Sequence, residues 1–299
     1  MKRLKDWAGS HSYVVMLAPY VFLFSIFILI PVVVSIGLSF THFNSVSPPE
    51  FAGLDNYIAL LTNDSIFMQK VLPNTLIYGL FVGAGGYILS FLLAWSLAQI
   101  TKGPRTILAI ILYSPSLTGG VLISTVWGVI FAGDAKGYLN ALLLKWNWIE
   151  QPILWLQSEE FLLPIMIIVS LWSSLGIGFL AMLAGILNVD PAIYEAARID
   201  GVRNRFQEII YITIPSVKPQ MLFGAVMAIV GAFTSSSVGT VLSGANPTPG
   251  YAGQLIVNHM EDFAFIRYNM GYASALAVVL LIAIRLCSNL VNRLFGERD

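Results

Sequence analysis

Side chains that could bind a polar ligand occur in two clusters within hydrophobic stretches of the sequence. The first contains Ser170, Trp172, Ser173 and Ser174, and the second contains Phe233, Thr234, Ser235, Ser236 and Ser237. Hydroxyl groups can hydrogen-bond a neutral polar ligand, and an aromatic ring can pack against its C–H groups. Serine and threonine in membrane helices also bond neighbouring helices or their own i−4 carbonyls. The residue types alone leave both roles open.

Residues that commonly perform catalysis or bind metals are scarce. The single cysteine is Cys287, and His11, His42 and His259 are widely separated along the chain. Their spacing matches no zinc or other metal site. No histidine or lysine lies beside these serines in the hydrophobic stretches to act as a base. The sequence also contains no GxxxxGK[ST] loop, which would bind phosphates. We therefore predict no catalytic residue, no metal and no cofactor on this chain.

The composition indicates a membrane protein. Hydrophobic residues make up 57% of the chain, charged residues make up 11%, and the mean hydropathy is +0.78. A soluble protein carries about 25% charged residues. The formal net charge of zero also gives no basic field to attract nucleic acid. We predict contact with membrane lipid and no binding of nucleic acid.

Six hydrophobic stretches are long enough to cross the hydrocarbon core, which takes about 20 residues of helix. They comprise residues 14–40, 73–100, 107–132, 161–187, 217–243 and 270–291. None alternates polar and apolar residues as the strands of a membrane barrel do. The predicted fold class is an all-α integral membrane protein with six spans. Residues 1–13 form a short N-terminal segment and residues 14–299 a single domain.

Two segments are predicted to depart from regular helix. Pro115 lies inside the third span, removes one backbone hydrogen bond and should bend the helix. Residues 239–253 contain Pro247, Pro249 and several glycines, so a non-helical segment is predicted there. That segment is either a loop that contacts an outside partner or a flexible connector.

The distribution of Lys and Arg predicts the orientation, because positively charged loops stay in the cytosol. Eleven of these residues lie at the termini and in the second and fourth loops, against four in the alternate loops. The eleven are Lys2, Arg3, Lys5, Lys102, Arg105, Arg198, Arg203, Arg205, Lys218, Arg293 and Arg298, and the four are Lys70, Lys136, Lys145 and Arg267. Both termini are therefore predicted to be cytosolic.

The fourth loop, residues 188–219, predicts a pair of short helices. Asp190 can cap a helix that has Pro191 in its first position and ends at Gly201. A second amphipathic helix follows, until Pro215 and Pro219 break the pattern. From the residues alone, this hairpin is either a docking element for another protein or a solvated connection between two spans.

The first helix of this loop carries a recognisable motif, YEAARIDG, from Tyr194 to Gly201. It resembles the EAA signature of permease subunits in binding-protein-dependent ABC importers. The resemblance implies a coupling helix that docks on a cytosolic ATPase subunit through Glu195, Ala196, Ala197, Asp200 and Gly201. The spacing from Gly201 to Pro215 is one residue longer than in the most familiar form of the motif.

The resemblance extends over nearly the whole chain. It includes Asn74-Thr75 in the second span, Pro115 with Trp127, Phe131, Gly137 and Asn140, and the run from Asn269 to Ala275 at the start of the last span. These features are similar to the maltose and glycerol-phosphate permease group, close to its lactose type. They imply a type I ABC importer permease fold in the bacterial plasma membrane.

That family implies a cargo and a set of partners. The cargo would be a sugar or oligosaccharide held midway across the membrane, on Trp172, Ser173, Ser174, Phe233, Thr234, Ser235 and Ser236. The partners would be a second homologous permease, two cytosolic ATP-binding subunits that hold ATP and Mg, and an extracytoplasmic sugar-binding protein.

Two other functions remain open at this point. A secondary transporter or uniporter would act alone, although the spans contain no ionisable residue well inside the membrane except Arg285. A membrane scaffold protein would use the hairpin to bind a partner that is not an ATPase.

Overall fold

The computed structural model describes residues 12–118 and 120–296. Most of the predicted N-terminal segment, residues 1–13, lies outside the described residues. The same holds for the predicted cytosolic cations Lys2, Arg3, Lys5 and Arg298, and for His11. The described chain is largely helical, in agreement with the predicted all-α class.

Two compact units divide the chain. Residues 1–64 and 260–279 belong to the first unit, and residues 65–259 and 280–299 belong to the second. The first unit contains helix α1 (Met16–Leu38), strands β1 (Thr41–His42) and β2 (Glu50–Phe51), and helix α2 (Asp55–Thr62). The strands pair antiparallel, with Thr41 opposite Phe51.

Helix α1 has the highest hydropathy of the apolar helices, with a mean of 2.8, and its most apolar window is 0% buried within the chain. Burial begins where α1 ends. The side chain of Asn56 is buried, and its Nδ2 donates to the carbonyl oxygens of Ser39 and Thr41, each at 2.9 Å. These bonds hold the turn after α1 against α2.

The second unit contains most of the remaining helices. They are α3 (Phe67–Ala98), α4 (Lys102–Leu117), α5 (Gly120–Ile130), α6 (Tyr138–Lys145), α7 (Leu162–Ser173), α8 (Ile177–Leu187), α9 (Pro191–Ile199), α10 (Arg205–Ser216), α11 (Lys218–Phe233) and α12 (Ser237–Ser243). Helices α13 (Ile256–Glu261) and α14 (Met270–Phe295) each contribute residues to both units.

Within the described residues, α1, α3 and α14 are each long and apolar enough to cross a membrane, and three bent helix pairs raise the possible number of spans to six. The third predicted span, residues 107–132, is the pair α4 and α5. Pro115 opens a 3₁₀ turn, Ser114–Leu117, at the end of α4, so the predicted bend is confirmed. The fourth span is the pair α7 and α8, which are bent by 42°.

The fifth predicted span, residues 217–243, begins as helix α11 and is interrupted at residues 234–236. Helix α12 follows the interruption, so the prediction of non-helical structure from residue 239 onward was wrong for its first five residues. Leu242 is buried in a core cluster with Leu162 and Met166. This burial outweighs the weak helix propensity of a segment rich in serine and glycine.

Helices α8 and α11 approach each other closely at a pair of glycines. A Cβ atom added to Gly178 would lie 3.0 Å from the Cα of Gly224 and 3.4 Å from its carbonyl oxygen. Two backbones can pack at this distance only where both side chains are absent. The contact anchors a core cluster that includes Phe179, Met182 and Met221.

Candidate functional site

A hydroxyl network lies where α3, α7 and the interruption after α11 meet. The Tyr78 hydroxyl donates to Ser170 Oγ at 2.8 Å and lies 3.2 Å from Ser235 Oγ. Tyr78 and Ser170 are buried, and Ser235 is half-buried. Three separate segments thus bring their polar groups to one point inside the apolar bundle.

Two adjoining cavities flank this network. The first, of about 290 Å³, is lined by hydroxyls of Tyr78, Ser170, Ser173, Ser174 and Ser235. The second, of about 360 Å³, is lined by hydroxyls of Tyr87, Ser90, Tyr113, Ser116 and Ser174. Ser174, Met227 and Ala228 line both cavities, so the two spaces meet at these residues.

The lining of both cavities is neutral. Among the residues that the structure describes, no Asp, Glu, Lys, Arg or His side chain lines either one. The remaining lining consists of apolar residues and the glycines of α8 and α11. Such a surface can hydrogen-bond a neutral polar ligand but offers no counter-charge to an ion.

Tyr87 lines the larger cavity, and its hydroxyl group has no hydrogen-bond partner. The oxygen itself is buried and bonds no residue within the described part of the chain. Most buried polar atoms in proteins do have a partner. An unpaired hydroxyl on a cavity-lining side chain is therefore a candidate contact for cargo or water when the cavity wall moves.

Three of the seven predicted pathway residues line the cavities, namely Ser173, Ser174 and Ser235. Ser173 Oγ also bonds the carbonyls of Val169 and Ser170, at 3.3 and 3.2 Å, and Ser174 Oγ bonds that of Leu171 at 2.8 Å. These bonds use the hydroxyl hydrogens locally, so each oxygen can only accept a bond from a ligand.

The other four predicted residues line neither cavity. Trp172 is 39% exposed and packs edge-on against Trp127, with ring centroids 5.5 Å apart. Phe233 is buried against Gly79. Thr234 Oγ1 bonds the Val230 carbonyl at 2.7 Å, and the carbonyl of Ser236 accepts from Asn258 at 2.5 Å. Their part in transport stays a prediction.

The tyrosines were missed by sequence reasoning. Tyr78, Tyr87 and Ser90 were available as polar residues within the second predicted span. Their spacing does not tell which side of α3 faces a cavity, because that depends on how α3 packs against helices far along the chain.

The fourth loop folds as a helical hairpin. Asp190 Oδ1 accepts from the amide of Ala192 at 2.9 Å, which confirms the predicted cap of α9. Gly201 has φ +100°, a conformation that L side chains rarely adopt, and it follows the end of α9 as predicted. Helix α10 ends at Ser216, between Pro215 and Pro219 as predicted, and the π turn Ile209–Thr213 precedes Pro215.

The five predicted coupling residues lie on α9 and at its end. Glu195, Ala196, Asp200 and Gly201 are exposed, and Ala197 is half-buried. A small, exposed alanine surface beside two carboxylates is suited to close docking by another protein.

A side-chain contact links the two helices of the hairpin, and the chain continues from the hairpin directly into helices that line the cavities. The Tyr194 hydroxyl lies 3.3 Å from Thr213 Oγ1, which links α9 to α10. Helix α10 meets α11 at an angle of 86° at Val217. Since α8 leads into α9 and α10 leads into α11, a displacement of the hairpin acts on both helices of the close glycine contact.

Comparison with known proteins gives a consistent result. Residues 86–298 match the family described as "Binding-protein-dependent transport system inner membrane component". The chain is 33% identical over 285 residues to the probable ABC transporter permease protein YesP of Bacillus subtilis, covering 94% of this chain and 88% of YesP. It is 32% identical over 282 residues to the arabinooligosaccharides transport system permease protein AraP of the same organism, covering 94% and 87%.

A solved structure has the same fold. A chain of a bacterial alginate ABC transporter, crystallised with an alginate pentasaccharide-bound periplasmic protein, superposes with a TM-score of 0.79. The two chains are 21% identical, and the match covers 99% of each.

Proposed function

Since this chain belongs to the family of binding-protein-dependent transport system inner membrane components, we propose that it forms half of the translocation pathway for a neutral sugar or oligosaccharide. The chain is a multi-pass permease subunit of an ABC importer, and it is not itself an enzyme. The relative AraP is named for arabinooligosaccharides, which supports this class of cargo.

The observation that carries the proposal is the lining of the two cavities. A sugar presents many hydroxyl groups and no charge, and the cavities present hydroxyls from five residues each and no acidic or basic side chain among the described residues. Tyr87 supplies an unpaired donor. Weak, neutral contacts of this kind suit a pathway, because cargo must leave as readily as it enters.

The partners follow from the same proposal. A second, homologous permease completes the pathway, and an extracytoplasmic sugar-binding protein delivers cargo. Two cytosolic subunits bind ATP and Mg, dock on Glu195–Gly201 and move the hairpin. The family description supports a binding protein, and the predicted orientation in the bacterial plasma membrane, with both termini cytosolic, places the hairpin on the side of the ATPase.

Movement of the hairpin would change the pathway through its covalent connections. Helix α11 lines both cavities with Met227 and Ala228, and α8 lines the larger one with Phe179 and Met182. Because each joins the hairpin through a short segment, rocking of α9 and α10 tilts both helices together. The pathway would then open alternately to the two sides of the membrane.

The test of coupling uses the complete importer in liposomes. Replacing Glu195→Ala should reduce ATP-dependent sugar uptake and recovery of the ATPase with the permease. Glu160→Ala is the control, because Glu160 is also exposed but lies in a loop predicted to face outside. Full uptake by the Glu195 variant would contradict the docking role, and uptake by this chain alone without ATP would favour a uniporter.

A separate measurement tests the cargo. Stimulation of ATP hydrolysis by the loaded binding protein is compared for neutral oligosaccharides and for uronate oligomers of similar length. The proposal expects stimulation by neutral sugars. Stimulation by charged sugars alone would show that the neutral lining does not select the cargo.

A further inference from the structure

Three arginines surround one cavity at the turn of the hairpin. Arg198 comes from α9, Arg203 from the turn and Arg205 from the first position of α10. The cavity measures about 530 Å³, and Val202, Asn204 and Glu208 complete its lining. Arg198 lies within the segment Glu195–Gly201 proposed to meet the ATPase, and Arg203 and Arg205 lie beyond it.

The positive charge of this cavity is only partly balanced. Glu208 is its one acidic lining residue among those described, is 8% exposed, and accepts from Arg205 Nη1 through both carboxylate oxygens at 3.0 Å. Arg198 and Arg203 form no ion pair with any carboxylate that the structure describes. Three guanidinium groups and one carboxylate leave a net charge of about +2 facing the cavity.

The turn that carries the arginines is held in place locally. Asn204 Oδ1 accepts from the amide of Gln207 at 2.8 Å, and Gln207 Oε1 accepts from the amide of Arg203 at 3.0 Å. With the backbone fixed, less loop freedom is lost when the guanidinium groups converge on a ligand. Planar guanidinium groups match the oxygen pairs of a phosphate, so the ligand chemistry is that of a phosphate anion.

The surroundings of the cavity indicate where that phosphate comes from. Helix α10 meets α11 at an angle of 86°. With α11 crossing the membrane, we infer that α10 runs along the membrane boundary. Its apolar side chains Phe206, Ile210 and Tyr211 are 71%, 41% and 69% exposed. Basic and apolar side chains together on a helix that lies in the membrane plane are typical of contact with anionic lipid.

We propose that Arg198, Arg203 and Arg205 bind the phosphate of an anionic phospholipid headgroup. The apolar side chains of α10 lie against the adjoining acyl chains. The bound lipid anchors the turn at the membrane surface and leaves the exposed carboxylates of α9 to a protein partner. The proposal depends on the hairpin geometry and not on the identity of the transported cargo.

The test measures binding of short-chain phosphatidylglycerol to the full-length chain in neutral detergent. The variant Arg198→Ala with Arg203→Ala leaves the Arg205 and Glu208 pair intact. We expect affinity to fall about 5-fold for each arginine and about 25-fold for both, since each cation near an anionic lipid surface contributes about 1 kcal/mol. The control, Lys102→Ala with Arg293→Ala, removes two cations that do not line the cavity and should leave affinity unchanged.

Three results would overturn the proposal. The first is equal affinity of the double variant and the unchanged protein for phosphatidylglycerol. The second is loss of ATPase recovery without loss of lipid binding, which would assign the arginines to the ATPase. The third is displacement of the lipid by inorganic phosphate at equal concentration, which would assign the site to free phosphate.

A milder substitution keeps the test valid if the alanine variant does not fold. Arg198→Lys with Arg203→Lys keeps both charges but loses the planar paired donors. We expect an affinity between those of the unchanged protein and the alanine variant. Unchanged affinity in the lysine variant would contradict the proposed recognition of phosphate by paired guanidinium donors.

Discussion

The hairpin of α9 and α10 and the hydroxyl-lined interior satisfy their polar groups over different distances along the chain. In the hairpin, Asp190 bonds a residue two positions away, and the Tyr194 to Thr213 contact spans 19 positions. In the interior, Tyr78 reaches Ser170 and Ser235, which are 92 and 157 positions away. The hairpin can therefore keep its form when it moves, whereas the interior changes whenever the spans shift.

This difference suits a transporter. A rigid, exposed hairpin can transmit a displacement, and a cavity defined by contacts between distant helices can respond to it. The junction at Val217 and the close contact of Gly178 with Gly224 connect the two regions. Substitutions in each region should therefore differ in whether they affect stability, coupling or cargo.

The largest effect is expected at the close contact of α8 and α11. Gly178→Val places a branched side chain against the backbone of Gly224, which cannot rotate away. We expect destabilisation of about 1–3 kcal/mol from overpacking, measured as a lower thermal midpoint of the purified chain. Gly231→Val on α11 is the control, because nothing lies within 4 Å of a Cβ added there. Equal midpoints for the two variants would show that the helices are not in close contact.

The next largest effect is expected at the turn of the hairpin. Gly201→Ala imposes a strain of about 1–2 kcal/mol, because a left-handed conformation brings Cβ close to the backbone. The space around Gly201 is open, so packing is not disturbed. If the turn relieves this strain by changing its own conformation, the fraction of chains with the observed turn falls about 5- to 30-fold. We expect ATP-dependent uptake to fall with that fraction, while the thermal midpoint changes little because Gly201 lies outside both core clusters.

The control for the hairpin is Gly128→Ala on α5, which has equal space and no positive φ. Gly128 lines neither cavity, so uptake of this variant should match that of the unchanged protein. Full uptake by Gly201→Ala would indicate that coupling does not require the observed turn.

How well the sequence predicts each region depends on whether its contacts are local or distant along the chain. Asp190, Pro191 and Gly201 encode α9 within twelve residues, so its cap and its end follow from local chemistry. Hydropathy likewise predicts the spans, because a long apolar stretch must cross the membrane as helix. The EAA resemblance correctly predicted the family as well.

The interior could be predicted only in part. Ser173, Ser174 and Ser235 were found because they cluster in sequence, but Trp172 and Thr234 in the same clusters face elsewhere. Which face of a span borders a cavity depends on helix packing over more than 90 positions, for which a single sequence carries no signal. Residues 239–243 of α12 were predicted to be non-helical for a related reason, since burial of Leu242 and not local propensity stabilises this helix.

A smaller effect on stability is expected when the buried Tyr78 hydroxyl is removed. Tyr78→Phe removes both bonds of the network and leaves the buried Ser170 Oγ without that partner. We expect a loss of stability of about 1 kcal/mol, measured by thermal unfolding. Adding Ser170→Ala should recover part of the loss, because neither partner is then left unpaired. The exposed Tyr211→Phe is the control and should be neutral.

The smallest effect on stability is expected at the unpaired hydroxyl. Tyr87→Phe removes a buried oxygen that bonds no other described residue, so the thermal midpoint should stay the same or rise slightly. If cargo uses this hydroxyl, sugar uptake falls about 3- to 10-fold, the value of one hydrogen bond. Tyr78→Phe should lower stability, and Tyr87→Phe should lower uptake alone. Equal loss of stability in both variants would contradict this separation. It would mean that the Tyr87 hydroxyl has a structural partner and that the larger cavity offers cargo no free donor there.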